Sequence, residues 1–342
     1  RSRAPTPPSP PSPSADRRQR MASWLYSVFP AFASKHTLAI GTKRLPPDEN
    51  YAKTYMQNKD GLWIYTRNWM PKSSPKGVLF LVHGLGEYCD RYGHVAQMLN
   101  EKGYAVFSMD HQGHGRSEGE RVHVEAFSDY FDDYFQFIDK VFKANPNLAK
   151  LPRILYGHSM GGLIAIHMGM ASKERGVKWT GVCLSAPALH IDPKTASPIM
   201  LKLVSFLSWG VPKLAIPWEK GPAAIFPITH DEATNAQYHA DPLIYHGGMR
   251  TRFSHEILTK MKEAADTAEK FDLPYLCMHG GADRMTLPQG SEEWHSKTSS
   301  KDKTRVEVEG ACHEMHNEIP EYRAKWSKTL LDWLAAHNGA PQ

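Results

Sequence analysis

One short segment of the sequence places a serine where it could act as a nucleophile. Ser159 stands in the motif GHSMG between Gly157 and Gly161, just after an apolar run and just before residues with helical apolar spacing. A strand-to-helix turn this tight strains the serine backbone, and only small flanking residues let the two elements approach so closely. The serine oxygen then projects above the sheet beside a helix N-terminus, which favours negative charge. On its own, the motif also fits a tight joint without any chemistry.

A serine hydroxyl needs a base and an orienting acid, and the sequence offers both after Ser159. A histidine takes the hydroxyl proton, and a carboxylate orients that histidine. In a strand-turn-helix architecture the expected chain order is serine, acid, histidine, each at the C-terminal end of a strand. Asp283 follows the apolar run PYLCMHG in a glycine-rich loop, and His313 follows the next run, TRVEVE. The sequence therefore predicts Asp283 as the acid and His313 as the base.

Other residues compete for these two roles. His316 is only three residues beyond His313, but it lies farther from the strand end, which favours His313 as the base. Asp272 precedes its strand and would lie at the wrong edge of the sheet. Asp283 alone could be a turn-forming residue that caps the following segment. Its place between the serine and histidine motifs favours the catalytic interpretation.

The tetrahedral intermediate of acyl transfer needs backbone N–H donors close to its oxyanion. One donor is expected from Met160, the residue directly after the serine. The other should come from the loop after an early strand, where the strand ends at His83 and the chain turns at Gly84 and Gly86 around Leu85. We predict an oxyanion hole formed by Leu85 and Met160.

Two HxxH pairs and four cysteines raise the question of a metal. The pairs are HQGH at 111–114 and HEMH at 313–316, but the zinc-peptidase pattern HExxH would need a histidine at 317, where Asn317 stands. The cysteines lie far apart without a CxxC pair, which favours neither a zinc site nor a disulfide framework. We therefore expect no metal and no cofactor.

The elements around these motifs alternate between strands and helices. Six apolar runs have strand length, and four of them are nearly continuous in hydrophobic character, as strands buried on both faces should be. The runs are GVLFLV (77–82), YAVFSMD (104–110), RILYG (153–157), GVCLSA (181–186), PYLCMHG (274–280) and TRVEVE (304–309). Helical patterns separate them, which predicts an α/β fold with a mainly parallel sheet covered by helices on both faces. Residues 54–69 flank the turn dipeptide Asp60-Gly61 and predict an antiparallel hairpin at the start.

The chain divides into three parts by composition. Residues 1–20 are rich in Pro, Ser and Arg and predict a disordered tail, residues 21–50 form an apolar segment and linker, and residues 51–340 form one domain. Nearly ninety residues separate GVCLSA from PYLCMHG, more than one crossover needs, so we expect an inserted cap at about 190–250. The tail supplies +4 of the formal net charge of +5, so the domain is near neutral and a nucleic-acid partner is not expected.

The apolar part of residues 21–50 has three interpretations. Its run of about ten residues is interrupted by Pro30 and is too short to span a bilayer, which takes roughly 20. A targeting signal, an interfacial membrane segment and an arm packed on the domain all fit this pattern. A cytoplasmic or peripheral-membrane location is favoured, and the sequence gives no indication of the oligomeric state.

Six ordered stretches resemble the serine α/β-hydrolases, and more narrowly the monoacylglycerol lipase and lysophospholipase group. They are HGLGEYCDRY, DHQGHGRSEG, GHSMGG, ADPLI, GGADRMT and GACHEMHNEIPE, spread over about residues 77–335 in the family's order. The resemblance implies an α/β-hydrolase fold of about eight strands with an inserted cap. It also implies a catalytic triad at Ser159, Asp283 and His313, and oxyanion donors at Leu85 and Met160.

The same resemblance implies which residues bind the polar end of the substrate. A pocket for the glycerol end would use Glu87, Arg91, His158 and His316, together with a cap tyrosine ahead of ADPLI, Tyr238. The cap itself resembles the family in character rather than by motif, which leaves the preferred acyl-chain length open.

We therefore predict a serine esterase that hydrolyses monoacylglycerol to fatty acid and glycerol through an acyl-enzyme. Residues 199–207 and Trp209 give more apolar surface than one core-facing stripe needs, which fits an acyl-chain lining or a peripheral membrane contact, although a cap helix packed on the body fits as well. A lysophospholipase, another lipid carboxylesterase or an acyltransferase is the nearest alternative. An epoxide hydrolase or haloalkane dehalogenase is disfavoured, because those enzymes carry aspartate at the nucleophile position. A non-catalytic lipid-binding protein of the same fold is the alternative from another class, yet no triad member or oxyanion glycine is missing.

Overall fold

The computed structural model describes residues 51–190, 198–220 and 226–337. The predictions for the tail of residues 1–20 and the segment of residues 21–50 lie outside these ranges. The strands are β1 (Tyr55–Gln57), β2 (Trp63–Trp69), β3 (Gly77–Val82), β4 (Tyr104–Met109), β5 (Arg153–His158), β6 (Gly181–Ser185), β7 (Ala215–Lys220), β8 (Gly248–Arg250), β9 (Tyr275–Gly280) and β10 (Lys303–Val308). The α-helices are α1 (Tyr51–Thr54), α2 (Gly93–Glu101), α3 (Ser128–Ala144), α4 (Met160–Ala171), α5 (Pro198–Gly210), α6 (Glu232–Ala240), α7 (Thr251–Asp266), α8 (Pro288–Lys297) and α9 (Pro320–Ala336).

Eight of the described strands form one sheet in the order β1-β2-β4-β3-β5-β6-β9-β10. β1 and β2 pair antiparallel around the predicted Asp60-Gly61 turn, where Gly61 has a φ of +78°. β2 joins β4 antiparallel, and the pairs from β4–β3 to β9–β10 are all parallel. The predicted sheet is confirmed, and each predicted strand agrees with an observed strand to within one residue at either end.

Both faces of the central strands are buried because helices cover each of them. In β3, Phe80 and Val82 face a core shared with α3, α4 and α7, whereas Leu79 and Leu81 face a second core shared with α2 and α9. All four side chains are 0% exposed. Side chains alternate between the two faces of a strand, and helices cover both faces here, so every side chain of the strand is buried. Such a strand has no solvent-facing position for a polar residue. The continuous run GVLFLV follows from that constraint.

Between β6 and α7 the chain leaves the main sheet. This inserted segment, residues 198–220 and 226–250, contains α5, β7, α6 and β8, and β7 pairs with β8 antiparallel in a separate two-stranded sheet. Leu203, Phe206 and Trp209 of α5 are 43, 64 and 50% exposed, which is unusual for large apolar side chains close together on one helix. Within the described ranges, no helix has the length and apolar character needed to cross a membrane.

Candidate active site

The predicted nucleophile lies on a strained turn between β5 and α4. Ser159 has φ 56° and ψ −121°, a left-handed conformation that L residues rarely adopt. A Cβ atom at Gly157 would lie 2.3 Å from the Gly161 carbonyl oxygen, and one at Gly161 would lie 2.1 Å from the Val82 carbonyl oxygen. Both neighbours must therefore be glycine for the strand and helix to meet. Met160 is the first residue of α4, where N–H groups have no partner inside the helix.

Asp283 and His313 meet at the carboxyl ends of β9 and β10. Nδ1 of His313 donates to Oδ2 of Asp283 at 2.6 Å, and both side chains are almost completely buried. Asp283 Oδ1 accepts the backbone N–H groups of Met285 at 2.8 Å and Thr286 at 3.1 Å. The carboxylate is thus fixed by its own loop, and it leaves Nε2 as the free nitrogen of the His313 ring.

The protonation states of Asp283 and His313 depend mainly on each other's charge. Burial lowers the pKa of His313, but the nearby Asp283 carboxylate raises it more, so the net pKa lies above its ordinary value. Burial likewise raises the pKa of Asp283, but the charge of His313 and its hydrogen bonds to both His313 and His279 hold the net pKa far below its ordinary value. Asp283 is therefore an anion throughout the neutral range, and it stabilises a protonated His313.

Ser159 and His313 line one cavity of about 410 Å³. Its wall is mostly apolar. The apolar lining comprises Leu85, Val122, Met160, Ala188, Ile228, Tyr238, Tyr245, Met249, Ile257, Met261 and Met285. Methionine side chains are unbranched and adaptable, so such a wall can fit a flexible chain. The cavity can thus hold an apolar substrate with its reacting group against Ser159.

The loop that carries Leu85 is held at both of its glycines. The N–H of Gly84 donates to Glu87 Oε1 at 2.6 Å, and the carbonyl of Gly86 accepts from the N–H of Tyr245 at 2.8 Å. Gly86 has a φ of +76°, which favours glycine at this position. In the described part of the chain, the N–H of Leu85 forms no hydrogen bond, and Leu85 lines the cavity.

A buried charge network lies beside the cavity. Arg91 donates to both carboxylate oxygens of Glu314 at 2.7 Å each, and it also hydrogen-bonds to Glu87. Its guanidinium lies 5.0 Å from the centre of the Tyr238 ring. Burial raises the pKa of Glu314, but Arg91 holds the net pKa well below its ordinary range, whereas burial leaves the pKa of Glu87 raised. Of the predicted substrate-binding residues in this network, Glu87 and Tyr238 line the cavity, and Arg91 contacts both from behind.

The two predicted binding histidines occupy successive layers. His158 lines the cavity, with its ring centre 4.7 Å from that of His313 and its Nδ1 3.1 Å from the carbonyl oxygen of Ser185. His316 lies behind it, stacked on Tyr92 at 4.7 Å and packed edge-on against His158 at 4.9 Å. Burial lowers the pKa of His158 to about 3 and that of His316 well below its ordinary value, so both rings are neutral. The structure brings His158 to the cavity and His316 only to the layer behind.

Two residues of the site were missed by the sequence analysis. Glu314 lines the cavity directly after His313, and its place in GACHEMH beside the predicted base was the available signal. Thr286 ends the stretch GGADRMT; its hydroxyl donates to Asp283 Oδ2 at 3.0 Å and lies 3.2 Å from His313 Nδ1. Short polar residues close to a predicted catalytic acid commonly orient it, which is a signal a sequence can offer.

This sheet order, with a serine on a strand-to-helix turn and an Asp–His pair on later loops, defines the α/β hydrolases. A family model described as Hydrolase_4, serine aminopeptidase S33, matches residues 73–320, and the chain belongs to that family. It is a serine hydrolase of carboxylic esters.

The relatives and solved structures agree with this assignment. Monoglyceride lipase of Rattus norvegicus is 33% identical over 298 residues, which cover 87% of this chain and 95% of the relative. Monoacylglycerol lipase of Mycolicibacterium smegmatis is 32% identical over 281 residues, 81% of this chain and 94% of the relative. The crystal structure of Paleococcus ferrophilus monoacylglycerol lipase has a TM-score of 0.68 and 29% identity, and covers 80% of this chain and 99% of that one. The predicted family resemblance and the α/β-hydrolase fold are confirmed.

Proposed function

We propose that this chain hydrolyses monoacylglycerols to fatty acid and glycerol, with Ser159 as nucleophile, His313 as general base and Asp283 as the orienting acid. The observation that carries this proposal is the 2.6 Å hydrogen bond between His313 and Asp283, since His313 faces the same cavity as Ser159. Because Nδ1 donates its proton to the carboxylate in a hydrogen bond, Nε2 carries the lone pair that can accept the serine proton. The monoacylglycerol lipases among the relatives support the choice of substrate.

The reaction follows from this arrangement. Ser159 Oγ attacks the ester carbonyl carbon while His313 Nε2 takes its proton, and Asp283 stabilises the resulting imidazolium. The tetrahedral oxyanion accepts hydrogen bonds from the N–H groups of Leu85 and Met160. His313 then gives its proton to the leaving glycerol oxygen, which leaves the acyl group on the serine. Water, deprotonated by His313, attacks the acyl-enzyme and releases the fatty acid.

The polar side of the cavity fits the glycerol end of the substrate. His158 and Glu314 present a neutral imidazole and a carboxylate there, and Tyr238 adds a hydroxyl. We assign these groups to the two free glycerol hydroxyls. Arg91 then acts by holding Glu314 in place through two hydrogen bonds, and Glu87 acts by fixing the Gly84 end of the Leu85 loop.

The apolar side fits the acyl chain, and the inserted segment forms part of its wall. Ile228, Tyr245 and Met249 of that segment line the cavity together with Met261 of α7. We assign the segment the role of a cap over the active site. The exposed Leu203, Phe206 and Trp209 of α5 are suited to rest on a lipid surface, where the substrate resides.

Covalent labelling tests the nucleophile directly. A fluorophosphonate probe should add to Ser159, located by mass spectrometry of the digested protein, and the Ser159→Ala variant should take up no probe. Ser296→Ala is the matched control, because that serine lies on α8 with its hydroxyl bound to a backbone carbonyl in the same helix. Absence of an adduct on Ser159 would show that the triad assignment is wrong.

Competing substrates of equal chain length test the specificity. A monoacylglycerol should be hydrolysed with a higher kcat/KM than a lysophosphatidylcholine, because Glu314 lies where an anionic phosphate would have to enter. Faster cleavage of the phospholipid would refute the glycerol-pocket assignment while leaving the esterase mechanism intact. Aminoacyl anilides are the third class of substrate to compare, since the family is described as serine aminopeptidases.

A further inference from the structure

Three side chains with metal-binding atoms meet outside the catalytic cavity. Cys312 Sγ lies 3.5 Å from His230 Nδ1, and that nitrogen lies 2.8 Å from Glu318 Oε1. All of their donor atoms lie within 4.8 Å of one another. We propose that His230, Cys312 and Glu318 form a binding site for Zn²⁺, and that zinc bound there slows the esterase.

The donor set selects the metal. Thiolate, imidazole and carboxylate are the usual ligands of zinc, whereas calcium and magnesium take oxygen ligands alone. With a Zn–S bond of about 2.3 Å and a Zn–N bond of about 2.0 Å, the sulfur and nitrogen of a tetrahedral site lie about 3.5 Å apart. The separation of Cys312 Sγ and His230 Nδ1 has this value. The fourth position is left for water.

One side of the site is buried and held by hydrogen bonds, and the other side is open to solvent. Glu318 is 0% exposed, and its carboxylate accepts the backbone N–H groups of Cys312 at 2.7 Å, Ile319 at 3.0 Å and His230 at 3.1 Å. These bonds fix the carboxylate before any metal arrives, as the supporting contacts of metal ligands do. The side chain of His230 is 44% exposed, which gives an ion a route from solvent.

Zinc must displace a proton from the thiol in order to bind. A cysteine thiol with its ordinary pKa of about 8.5 is mostly neutral at pH 7. Each bound Zn²⁺ forms a Zn–S bond and releases the thiol proton to solvent, because the thiolate is the ligand. The proton by which His230 Nδ1 bonds Glu318 passes through solvent to Nε2, so that the Nδ1 lone pair can bind the metal. The apparent affinity should therefore rise about tenfold for each unit of pH.

The site is coupled to the base by the chain itself. Cys312 directly precedes His313, and the N–H of Glu314 donates to the carbonyl oxygen of Ile228 at 2.8 Å, two residues before His230. Nitrogen and oxygen ligands of a tetrahedral zinc lie about 3.3 Å apart. His230 Nδ1 and Glu318 Oε1, now 2.8 Å apart, must therefore separate when zinc binds between them. The loop that carries His313 moves with them, so bound zinc should lower kcat.

Metal binding can be measured on the full chain without substrate. The protein competes for Zn²⁺ with a chromophoric zinc chelator at pH 7 and pH 8, and Mg²⁺ serves as the control ion. We expect one zinc to be bound, with about tenfold higher affinity at pH 8. His230→Ala and Cys312→Ser should each weaken it by about tenfold or more, since even the loss of a contact that supports a metal ligand costs about 10–100-fold. His255→Ala, a histidine on α7 outside the cluster, should bind as the wild type does.

Esterase rates with and without zinc test the coupling. We expect saturating Zn²⁺ to lower the wild-type kcat by about threefold or more, because the loop of His313 is displaced, and His230→Ala to be insensitive. If the wild type and His230→Ala bound zinc equally well, the proposed site would be wrong. If zinc inhibited both proteins equally, the inhibitory ion would bind the cavity histidines instead, and the proposed coupling would be wrong. His230 is half exposed, so its removal should leave folding intact even if Cys312→Ser does not. The binding assay does not depend on the substrate, so its outcome is separate from that of the proposed function.

Discussion

The substitution Gly161→Ala tests how the turn that carries Ser159 and the loop that carries Leu85 depend on each other. The added Cβ would lie 2.1 Å from the carbonyl oxygen of Val82 and 2.5 Å from that of His83, closer than the 3.0 Å that real Cβ atoms keep. Backbone on one side must therefore move by about 1 Å, and a shift of that size in a catalytic group lowers rates by about 100-fold. Because His83 leads directly to Leu85, the movement separates Ser159 from one of its proposed donors.

The same substitution should leave the protein folded. Overpacking of this kind destabilises by about 1–3 kcal/mol, less than the stability of a typical domain, and lowers Tm by about 2–5 °C in a chain of this size. Gly93→Ala is the matched control, since a Cβ at Gly93 would have no neighbour within 4 Å and its φ is −54°.

The rate of fluorophosphonate labelling and the Tm are then compared among the wild type and the two variants. We expect Gly161→Ala to label about 100-fold more slowly and Gly93→Ala to match the wild type. Wild-type labelling and Tm in Gly161→Ala would refute the steric reasoning.

Three further predictions concern the acid, the base and the exposed helix. Asp283→Asn should lower kcat by about 10³–10⁴-fold with little change in KM, because the imidazole loses its orientation and its counter-charge. The wild-type kcat/KM should fall as the pH drops through the raised pKa of His313, since only the neutral ring accepts a proton, and the midpoint of this fall should lie above pH 6.5. In Asp283→Asn, the rate of fluorophosphonate labelling should show its midpoint at a lower pH, because the carboxylate that raises the pKa of His313 is gone. The double variant Phe206→Ala/Trp209→Ala should bind phosphatidylcholine vesicles more weakly in a sedimentation assay, whereas Met70→Ala, which removes a side chain 47% exposed on the body, should bind as the wild type does.

The sheet was predictable because its strands are buried on both faces. Only a central strand or a buried helix keeps every side chain of a run such as GVLFLV out of water. Six residues are too few for a buried helix, so the run predicts a central strand. The inserted segment gave a weaker signal. Its strand β8 has only three residues, Gly248–Arg250, and pairs with a strand about thirty residues earlier in the chain, so no local periodicity marks it.

The candidate triad could be located because strand ends carry its members. Ser159, Asp283 and His313 each follow a strand that the sequence predicted, and parallel strands bring their carboxyl ends to one edge of the sheet. The pairing of Arg91 with Glu314 could not be found in this way, since 223 residues separate them and both are charged side chains that would ordinarily be read as exposed.

The cluster of His230, Cys312 and Glu318 could not be predicted from the sequence either, because its members are far apart in the chain. Isolated cysteines favoured no zinc site in the sequence, because the histidine that faces Cys312 stands 82 residues earlier, in the inserted segment. Spacing rules for metal sites describe ligands on one turn or hairpin, and they are silent on ligands that separate loops bring together.

The loop after β10 links these features. Within residues 312–318 it holds His313, which we propose as the base, the Arg91 partner Glu314, and Glu318, whose carboxylate accepts the backbone N–H of His230. The inserted segment is therefore bonded to the loop of His313 through Glu318 and the bond from Glu314 to Ile228, and to the loop of Leu85 through the bond from Tyr245 to Gly86. Changes in these hydrogen bonds should move the proposed base and the proposed oxyanion donor Leu85. They should also alter the cavity wall, because Ile228 and Tyr245 line it.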